Sequence, residues 1–319
     1  MINSSLLLVS PPVEAPAFED GARGLSWGEF KYRFDFAYGS GVRPLEQSRA
    51  GEMLTKRIMR DAAEIRALYR KIRELRPQLS KISTHKINET DPFWVNNWLP
   101  APDAAIIYTL IATGQPRLYL EIGSGNSTKF ARRAQRDFKT GTQIVSIDPS
   151  PRAEIDSLCD RIIRHSVERL DISKVADLVR PGDVVFVDDS HRSFQNSDST
   201  VCCIELFAAL PAGCHFGVHD VFLPFDYPSS FIDRYYNEQY LMMMYLLGGA
   251  TEDAVIGLTH LTSTNEAFKA EHDAMVDIDV IPEDARAGGG ALWLRKGDWH
   301  RRFPHHSILK NIARSLRFC

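Results

Sequence analysis

Apolar runs alternate with amphipathic stretches along most of the chain after Pro116. Short apolar runs predict buried strands over 117–122, 142–147, 160–164, 183–188, 213–219, 254–260 and 288–296. Amphipathic stretches between them predict helices near 127–137, 151–158, 168–178, 197–209 and 230–247. This alternation is typical of an α/β protein with a doubly wound sheet, and the last two strands predict a hairpin-like edge.

The first hundred residues carry a different pattern. Residues 1–24 are rich in Pro, Ala and Gly and predict a mobile or draped tail, whereas the alternating segment 27–41 predicts a hairpin or an extended strand. A helical pattern runs from about Glu46 to Arg76, and Pro77 is expected to end it. Its weak heptad repeat is compatible with a helix that packs on its own domain and equally with a helix that forms a homodimer.

The chain is therefore expected to have three parts. An N-terminal extension over 1–100 holds the tail, the long helix and an aromatic loop. A central α/β domain follows over 101–300. The remaining segment, 301–319, is basic with helical spacing and predicts a solvated or partner-facing helix.

A glycine turn follows the first strand of the central domain. The run at 118–130 reads LYLEIGSGNSTKF, an apolar strand that leads through the turn into a helix. Gly123 and Gly125 let a ligand approach the backbone, and the helix N-terminus offers free N–H groups. The next strand ends on Asp148, whose carboxylate can accept hydrogen bonds from two ribose hydroxyls. These features predict a pocket for a cofactor that carries a nucleoside.

Two further residues restrict the class of cofactor that this pocket is expected to bind. Thr128 stands where a dinucleotide fingerprint has its third glycine, and Glu121 places an acid just before the turn. An anion there disfavours a pyrophosphate and suits an amine or a sulfonium. Together with Asp148, the pattern E-x-G-x-G-N resembles the class I S-adenosylmethionine-dependent methyltransferases. The resemblance implies S-adenosyl-L-methionine as cofactor and a Rossmann-like, seven-stranded methyltransferase sheet with an α-helical N-terminal extension.

The same resemblance implies a set of residues that contact the cofactor. They are Glu121, Gly123, Ser124, Gly125, Asn126, Ser127, Asp148, His165, Ser166 and Asp188. Backbone N–H groups of the turn are expected to bind the methionine carboxylate, and Glu121 to neutralise the ammonium directly or through water. Asp148 is expected at the ribose. His165 and Ser166 lie where the family contacts adenine, although His165 equally suits a half-exposed loop histidine.

Acids and histidines follow the fourth and fifth predicted strands. Asp188, Asp189 and His191 come after the fourth strand, and His219 and Asp220 end the fifth. Because neighbouring parallel strands end at the same sheet edge, these side chains are expected to share one site. They predict a divalent metal site or a general base that takes a proton from the acceptor. Simple helix capping by the acids is a third interpretation.

Sugar O-methyltransferases of macrolide and aminocoumarin pathways have a similar layout, in which acids after these strands bind magnesium. The metal ligands that this likeness implies here are Asp188, His219 and Asp220. The chain departs from that family because His219 replaces an acid and Ser190 replaces the catalytic acid. The departure disfavours magnesium and favours a hydrogen-bonded His–Asp network. The candidate catalytic residues are His191, Asp189 and His219.

Aromatic side chains outside the sheet are candidates for acceptor recognition. Trp94 and Trp98 precede the first strand, and Tyr236 follows the fifth; such residues are also typical of a packed domain interface. The expected function is O-methylation of a small-molecule or natural-product acceptor by base-assisted, in-line methyl transfer. The alternatives are a non-catalytic Rossmann-like binding or assembly protein and an NAD(P)-dependent oxidoreductase.

Composition limits the partners. The net charge of −3 and the pI near 6.4 give no basic footprint for nucleic acid. No apolar run predicts a membrane span, and the N-terminus lacks the basic and apolar regions of a signal peptide. Five cysteines without a C-x-x-C pair suit a reducing compartment, so a cytoplasmic location is expected. The expected partners are a small-molecule substrate and a second copy of the chain.

Overall fold

A computed structural model describes residues 41–151, 153–286 and 288–298. The tail predicted over 1–24, the segment predicted as a hairpin or extended strand over 27–41, except its last residue, and the basic segment 301–319 lie outside the described residues.

Seven strands form one sheet. They are β1 Leu118–Ile122, β2 Gln143–Ile147, β3 Arg161–Ile163, β4 Val184–Val187, β5 His215–Val218, β6 Ala254–Leu258 and β7 Leu292–Arg295. The order across the sheet is β3-β2-β1-β4-β5-β7-β6. The first five strands are parallel, and β7 runs antiparallel to both β5 and β6. The predicted seven-stranded α/β fold is confirmed, together with the antiparallel pairing of the last two strands.

Helices lie before, between and after the strands. They are α1 Arg49–Met59, α2 Ala62–Glu74, α3 Arg76–Leu79, α4 Ala101–Gly114, α5 Asn126–Phe138, α6 Ile172–Ala176, α7 Asp198–Val201, α8 Phe207–Ala209, α9 Glu238–Gly248, α10 Thr259–Thr264, α11 Glu266–Val276 and α12 Glu283–Arg286. A π-helical segment, Cys202–Leu206, joins α7 to α8. Within the described ranges, no helix combines the length and apolar character that a membrane span requires.

Three predicted helices are shorter than expected. The described residues of the segment 151–158 form only the 3₁₀ turn Asp156–Leu158, and the segment 168–178 forms the short helix α6. The start of the segment 230–247 forms the 3₁₀ turn Ser229–Arg234. Tyr235 then adopts a left-handed conformation with φ of 55°, which separates that turn from α9.

The helix predicted from Glu46 to Arg76 is interrupted at Asp61. The Asp61 carboxylate accepts hydrogen bonds from Arg57 Nη1 at 2.7 Å and Arg60 Nε at 3.0 Å. It also accepts the backbone N–H of Val255, the second residue of β6, at 2.9 Å. The break thus lets one side chain bind the edge strand of the sheet.

The apolar face of α1 and α2 belongs to the same core as the sheet. The fully buried residues on this face are Leu54, Ile58, Ile65 and Ile72. They lie in one cluster with residues of β1, β4, β6 and β7. Of the two roles that the heptad pattern allows, packing on its own chain is confirmed, and a homodimer stays a prediction.

Candidate active site

Four residues stand side by side at the carboxyl edge of the sheet. Gly123, Asp148, Asp188 and His219 each follow a parallel strand directly. Each donates its backbone N–H to the last carbonyl of a neighbouring strand, at 2.8–3.1 Å. The hydrogen-bond pattern of the parallel sheet therefore extends one residue beyond the strands. It fixes the backbone positions of these four residues.

A cleft of about 550 Å³ opens at this edge. It is lined by residues 122–127, 147–150, 166–168 and 188–190, together with Phe93, Trp98 and other residues of the N-terminal extension. Eight of the ten expected cofactor residues line it, namely Gly123, Ser124, Gly125, Asn126, Ser127, Asp148, Ser166 and Asp188. The structure therefore brings the turn and the ends of three strands around one cavity.

The glycines of the turn have different roles. Gly123 has φ of +76°, and a Cβ there would lie 1.8 Å from the backbone oxygen of Asp188. Only glycine allows the loops after β1 and β4 to approach so closely. Gly125 is extended, with φ of −178°, and a Cβ there would meet no described atom within 4 Å. It leaves the backbone open to the cleft.

Asp148 holds the turn as well as facing the cleft. Its Oδ2 accepts the backbone N–H of Ser124 at 2.7 Å, and its Oδ1 accepts that of Ser150 at 2.7 Å. Ser124 Oγ also lies 2.7 Å from Ser146 Oγ on β2. The carboxylate is thus oriented by backbone donors, and its remaining lone pairs can accept from a ligand.

Glu121 differs from its expected place at the ligand. Its side chain is fully buried and does not line the cleft. Tyr119 Oη donates to it at 2.8 Å, and Thr128 Oγ1 donates to it as well. Thr128 Oγ1 in turn accepts the backbone N–H of Gly125 at 3.2 Å. Burial raises the pKa of Glu121 to about 7, although these hydrogen bonds oppose the rise.

Three other expected contacts are placed away from this cleft. His165 is exposed and does not line the cleft, whereas the next residue, Ser166, does line it. Trp94 is buried in the core with its ring 5.2 Å from that of Phe130, so it is a packing residue. Tyr236 lines a separate aromatic pocket of about 270 Å³, and its ring lies 4.7 Å from that of His191.

Asn96 of the aromatic loop makes the hydrogen bonds that position this loop beside α5. Its Oδ1 accepts the Asn126 side-chain amide at 3.1 Å and the backbone N–H of Leu99 at 2.7 Å. The aromatic loop is thereby attached to the start of α5. Trp98 follows Asn96 closely and lines the cleft with 57% of its surface exposed.

Two histidines and two acids form a ring beside the cleft, called here the His–Asp ring. His191 Nε2 lies 3.2 Å from Asp188 Oδ1 and 3.5 Å from Asp220 Oδ2. His219 Nδ1 lies 3.3 Å from Asp188 Oδ1 and 3.7 Å from Asp220 Oδ1. Imidazoles and carboxylates therefore alternate around the ring.

Two fully buried acids flank the ring, and neither was assigned to the His–Asp network from the sequence. Asp103 of α4 lies 3.3 Å from His219 Nε2 and accepts the backbone N–H of Gly290 at 3.0 Å. Glu238 of α9 lies 3.0 Å from His191 Nδ1. The available signal was the position of each acid in an otherwise apolar helical run, where burial requires a partner.

The ring is strongly charged. Burial lowers the pKa of both histidines, but the carboxylates around them outweigh it and raise each pKa well above the usual value. Burial of Asp188 is likewise outweighed by the two imidazoles, which lower its pKa. A histidine whose pKa is raised releases its proton less readily, which makes it less suited to start the reaction as a neutral general base. This arrangement differs from the predicted role of His191 or His219 as general base.

Asp189 lines the cleft, but its carboxylate is almost fully buried and accepts hydrogen bonds from within the protein. Its side chain is 2% exposed, and its Oδ1 accepts hydrogen bonds from the His191 backbone N–H and Ser199 Oγ, both at 2.8 Å. Burial, with the charge of Glu238, raises the pKa of Asp189 well above its usual value.

The metal ligands implied by the likeness to sugar O-methyltransferases are not suited to magnesium. Asp188, His219 and Asp220 are members of the ring, where the imidazole lies between the two carboxylates. The imidazole would supply a nitrogen ligand, whereas a hard ion such as magnesium prefers oxygen ligands.

No family model matches this chain, and no curated protein matches it. Among solved structures, it is similar to SAH-bound methyltransferase PaMTH1 of Podospora anserina, at 16% identity over 61% of this chain and 78% of that chain, with a TM-score of 0.36. Cofactor-bound Rv0187 from MTB is 13% identical over 80% and 98% of the two chains, with a TM-score of 0.37. The plantazolicin methyltransferase BpumL in complex with SAH is 14% identical over 77% and 100%, with a TM-score of 0.35.

Proposed function

We propose that this protein is an S-adenosylmethionine-dependent methyltransferase that acts on a hydroxyl oxygen of a small-molecule or natural-product acceptor. The observation that carries the proposal is the meeting of the glycine turn and Asp148 in one cleft at the carboxyl edge of the sheet. Ligands of open α/β sheets bind at this edge.

The residues of the cleft fit the cofactor by chemical type. Gly125 and Asn126 begin α5, whose first N–H groups suit the methionine carboxylate. Asp148 offers the acceptor for ribose hydroxyls, and Ser166 and its neighbours line the far side, where adenine would bind. Glu121 then stabilises the turn from the protein interior, by accepting a hydrogen bond from Thr128 Oγ1.

Asp188 is the member of the His–Asp ring that lines the cleft. Its side chain is 31% exposed, and two imidazoles keep it ionised. A carboxylate held in this way favours the positive charge of a sulfonium. Bound S-adenosyl-L-methionine supplies an activated methyl group, so the remaining work of the chain is to align the acceptor and exclude water.

Calorimetry of the full chain with S-adenosyl-L-methionine, S-adenosylhomocysteine and NAD⁺ tests the proposal. We expect binding of the first two and none of NAD⁺. Asp148→Asn should weaken cofactor binding about 10- to 100-fold, since a charged acceptor contributes roughly 1.5–3 kcal/mol. Asp177→Asn, on an exposed residue outside the cleft, is the matched control and should leave affinity unchanged.

Binding of NAD⁺ alone would support the oxidoreductase alternative and overturn the proposal. Transfer of a labelled methyl group to hydroxylated acceptors separates an enzyme from a binding protein. Label on the acceptor oxygen is the expected result, and label on nitrogen or carbon would contradict O-methylation.

A further inference from the structure

Two buried acids face the outer side of His191. Glu238 Oε2 lies 3.0 Å from His191 Nδ1, and Asp189 Oδ1 lies 3.9 Å from it. The Glu238 side chain is 0% exposed and that of Asp189 is 2% exposed. Among the described residues, these three form a group in which one ligand atom from each lies within 4.8 Å of the others.

One carboxylate oxygen of this group is unsatisfied. Asp189 Oδ1 accepts two hydrogen bonds, from the His191 backbone and from Ser199 Oγ. Asp189 Oδ2 is equally buried and has no hydrogen-bond partner in the described part of the chain. Burial of an unpaired carboxylate oxygen is costly, so this atom calls for a cation or a donor.

His191 is oriented as a metal ligand. Its Nε2 lies 3.2 Å from Asp188 Oδ1, whereas its Nδ1 lies 3.0 Å from Glu238 Oε2 and 3.9 Å from Asp189 Oδ1. A histidine that binds a metal through one ring nitrogen usually donates the other N–H to a carboxylate. The backbone supports this geometry, because Asn237 N and Glu238 N both donate to the His191 carbonyl, at 2.9 and 3.3 Å.

The charges point the same way. In the His–Asp ring two histidines face two aspartates, and Asp103 adds a further acid on the far side. Asp189 and Glu238 both lie beside His191. Among the ion pairs of the described residues, this imidazole is the one basic group that the two acids share. Two carboxylates that share one imidazole repel each other in a dry interior.

We propose that Asp189, His191 and Glu238 bind one divalent transition-metal ion, with Zn²⁺ as the best match. One imidazole and two carboxylates are a ligand set that zinc accepts in proteins, whereas magnesium and calcium prefer oxygen alone. The site is distinct from the metal position that the sequence implied at Asp188, His219 and Asp220. Because all three side chains are buried, the ion would join the loop after β4 to the start of α9. The inference does not depend on methyl transfer.

Zinc binding to the chelator-treated full chain tests this site. We expect calorimetry with ZnCl₂ and elemental analysis to give one zinc per chain, and X-ray absorption to show imidazole nitrogen and oxygen at about 2.0–2.2 Å. Glu238→Gln and Asp189→Asn should each weaken zinc binding at least about 100-fold. Asp183→Asn is the matched control, since Asp183 is a buried acid at the opposite end of β4 and its substitution should leave zinc affinity unchanged.

A wild-type chain that binds no stoichiometric zinc would overturn the proposal, as would a folded Glu238→Gln variant with unchanged affinity. Circular dichroism checks that each variant folds. If both variants fail to fold, ¹H–¹⁵N spectra of the wild-type imidazoles decide. Zinc-bound His191 lacks a proton on Nδ1, whereas a proton on both nitrogens in excess zinc shows that His191 binds a proton instead.

Discussion

The glycine-turn half of the edge and the His–Asp ring half are built in different ways. In the turn, the partners are close in sequence: Glu121 meets Thr128, and Ser124 meets Asp148 on the next strand. In the ring, His191 meets Glu238 of α9, and a second histidine meets an acid from α4, before the sheet begins. A local motif shapes the first half, and long-range contacts complete the second.

The difference also appears in charge. In the turn, hydroxyl and backbone donors surround single acids, namely Glu121 and Asp148. The hydrogen bonds of each acid can therefore be described separately. The ring couples several charges, so the state of His191 depends on Asp188, Asp220 and Glu238 together. The motif of the turn therefore predicts which residues line the cleft, whereas local patterns do not predict the pKa shifts of the ring.

The largest expected effect lies in the turn. Gly123→Ala should destabilise the fold by about 4 kcal/mol or more, because its Cβ would overlap the Asp188 carbonyl at a left-handed φ. Gly125→Ala should change the free energy of unfolding by less than about 1 kcal/mol, since that position is extended and open. Urea unfolding of both variants measures the contrast, and equal losses would contradict the close approach.

The next effect lies in the ring. Asp103→Asn removes the charge facing His219 while leaving an acceptor for the backbone N–H of Gly290. We expect a loss of about 3 kcal/mol in the free energy of unfolding, because a buried ion pair loses one partner. The exposed-site variant Asp177→Asn should stay within about 0.5 kcal/mol of wild type. A neutral result at Asp103 would show that the ring does not need its α4 partner.

A pH effect comes third. The pKa of Glu121 is about 7 in the fold and near 4.5 in the unfolded chain, so the folded state retains a proton that the unfolded state releases. Glu121 should contribute a loss of about 3 kcal/mol of stability as pH rises from about 4.5 to 7. Glu121→Gln lacks this dependence on pH. Its stability relative to wild type should therefore be higher at pH 8 than at pH 4.5. Urea unfolding at several pH values measures the difference, and parallel curves would contradict the raised pKa.

The smallest effect concerns the rim of the cleft. Trp98→Ala should weaken S-adenosylhomocysteine binding about 3- to 10-fold, which is roughly 1 kcal/mol, because the indole lines the cleft. Met244→Ala, on an exposed face of α9, is the control. Calorimetry compares the two, and equal affinities would place the ligand away from the aromatic loop.

The sequence predicted the sheet well and the site unevenly. Apolar runs located all seven strands, since buried parallel strands need continuous hydrophobic residues. The glycine turn, Asp148 and Asp188 were assigned to the cleft that they line. Trp94 was misplaced because an aromatic residue in a loop has the same pattern whether it packs inward or faces a ligand.

By itself, the sequence determined the strands, the glycine turn and the acids at the strand ends, because these depend on the residue types within single elements. Only the tertiary structure decided that Glu121 supports the turn from beneath, that Asp61 divides the long helix, and that Asp103 and Glu238 complete the ring. The physical reason is that burial and charge pairing depend on which distant elements meet. A local sequence pattern does not specify which distant residues will be those neighbours.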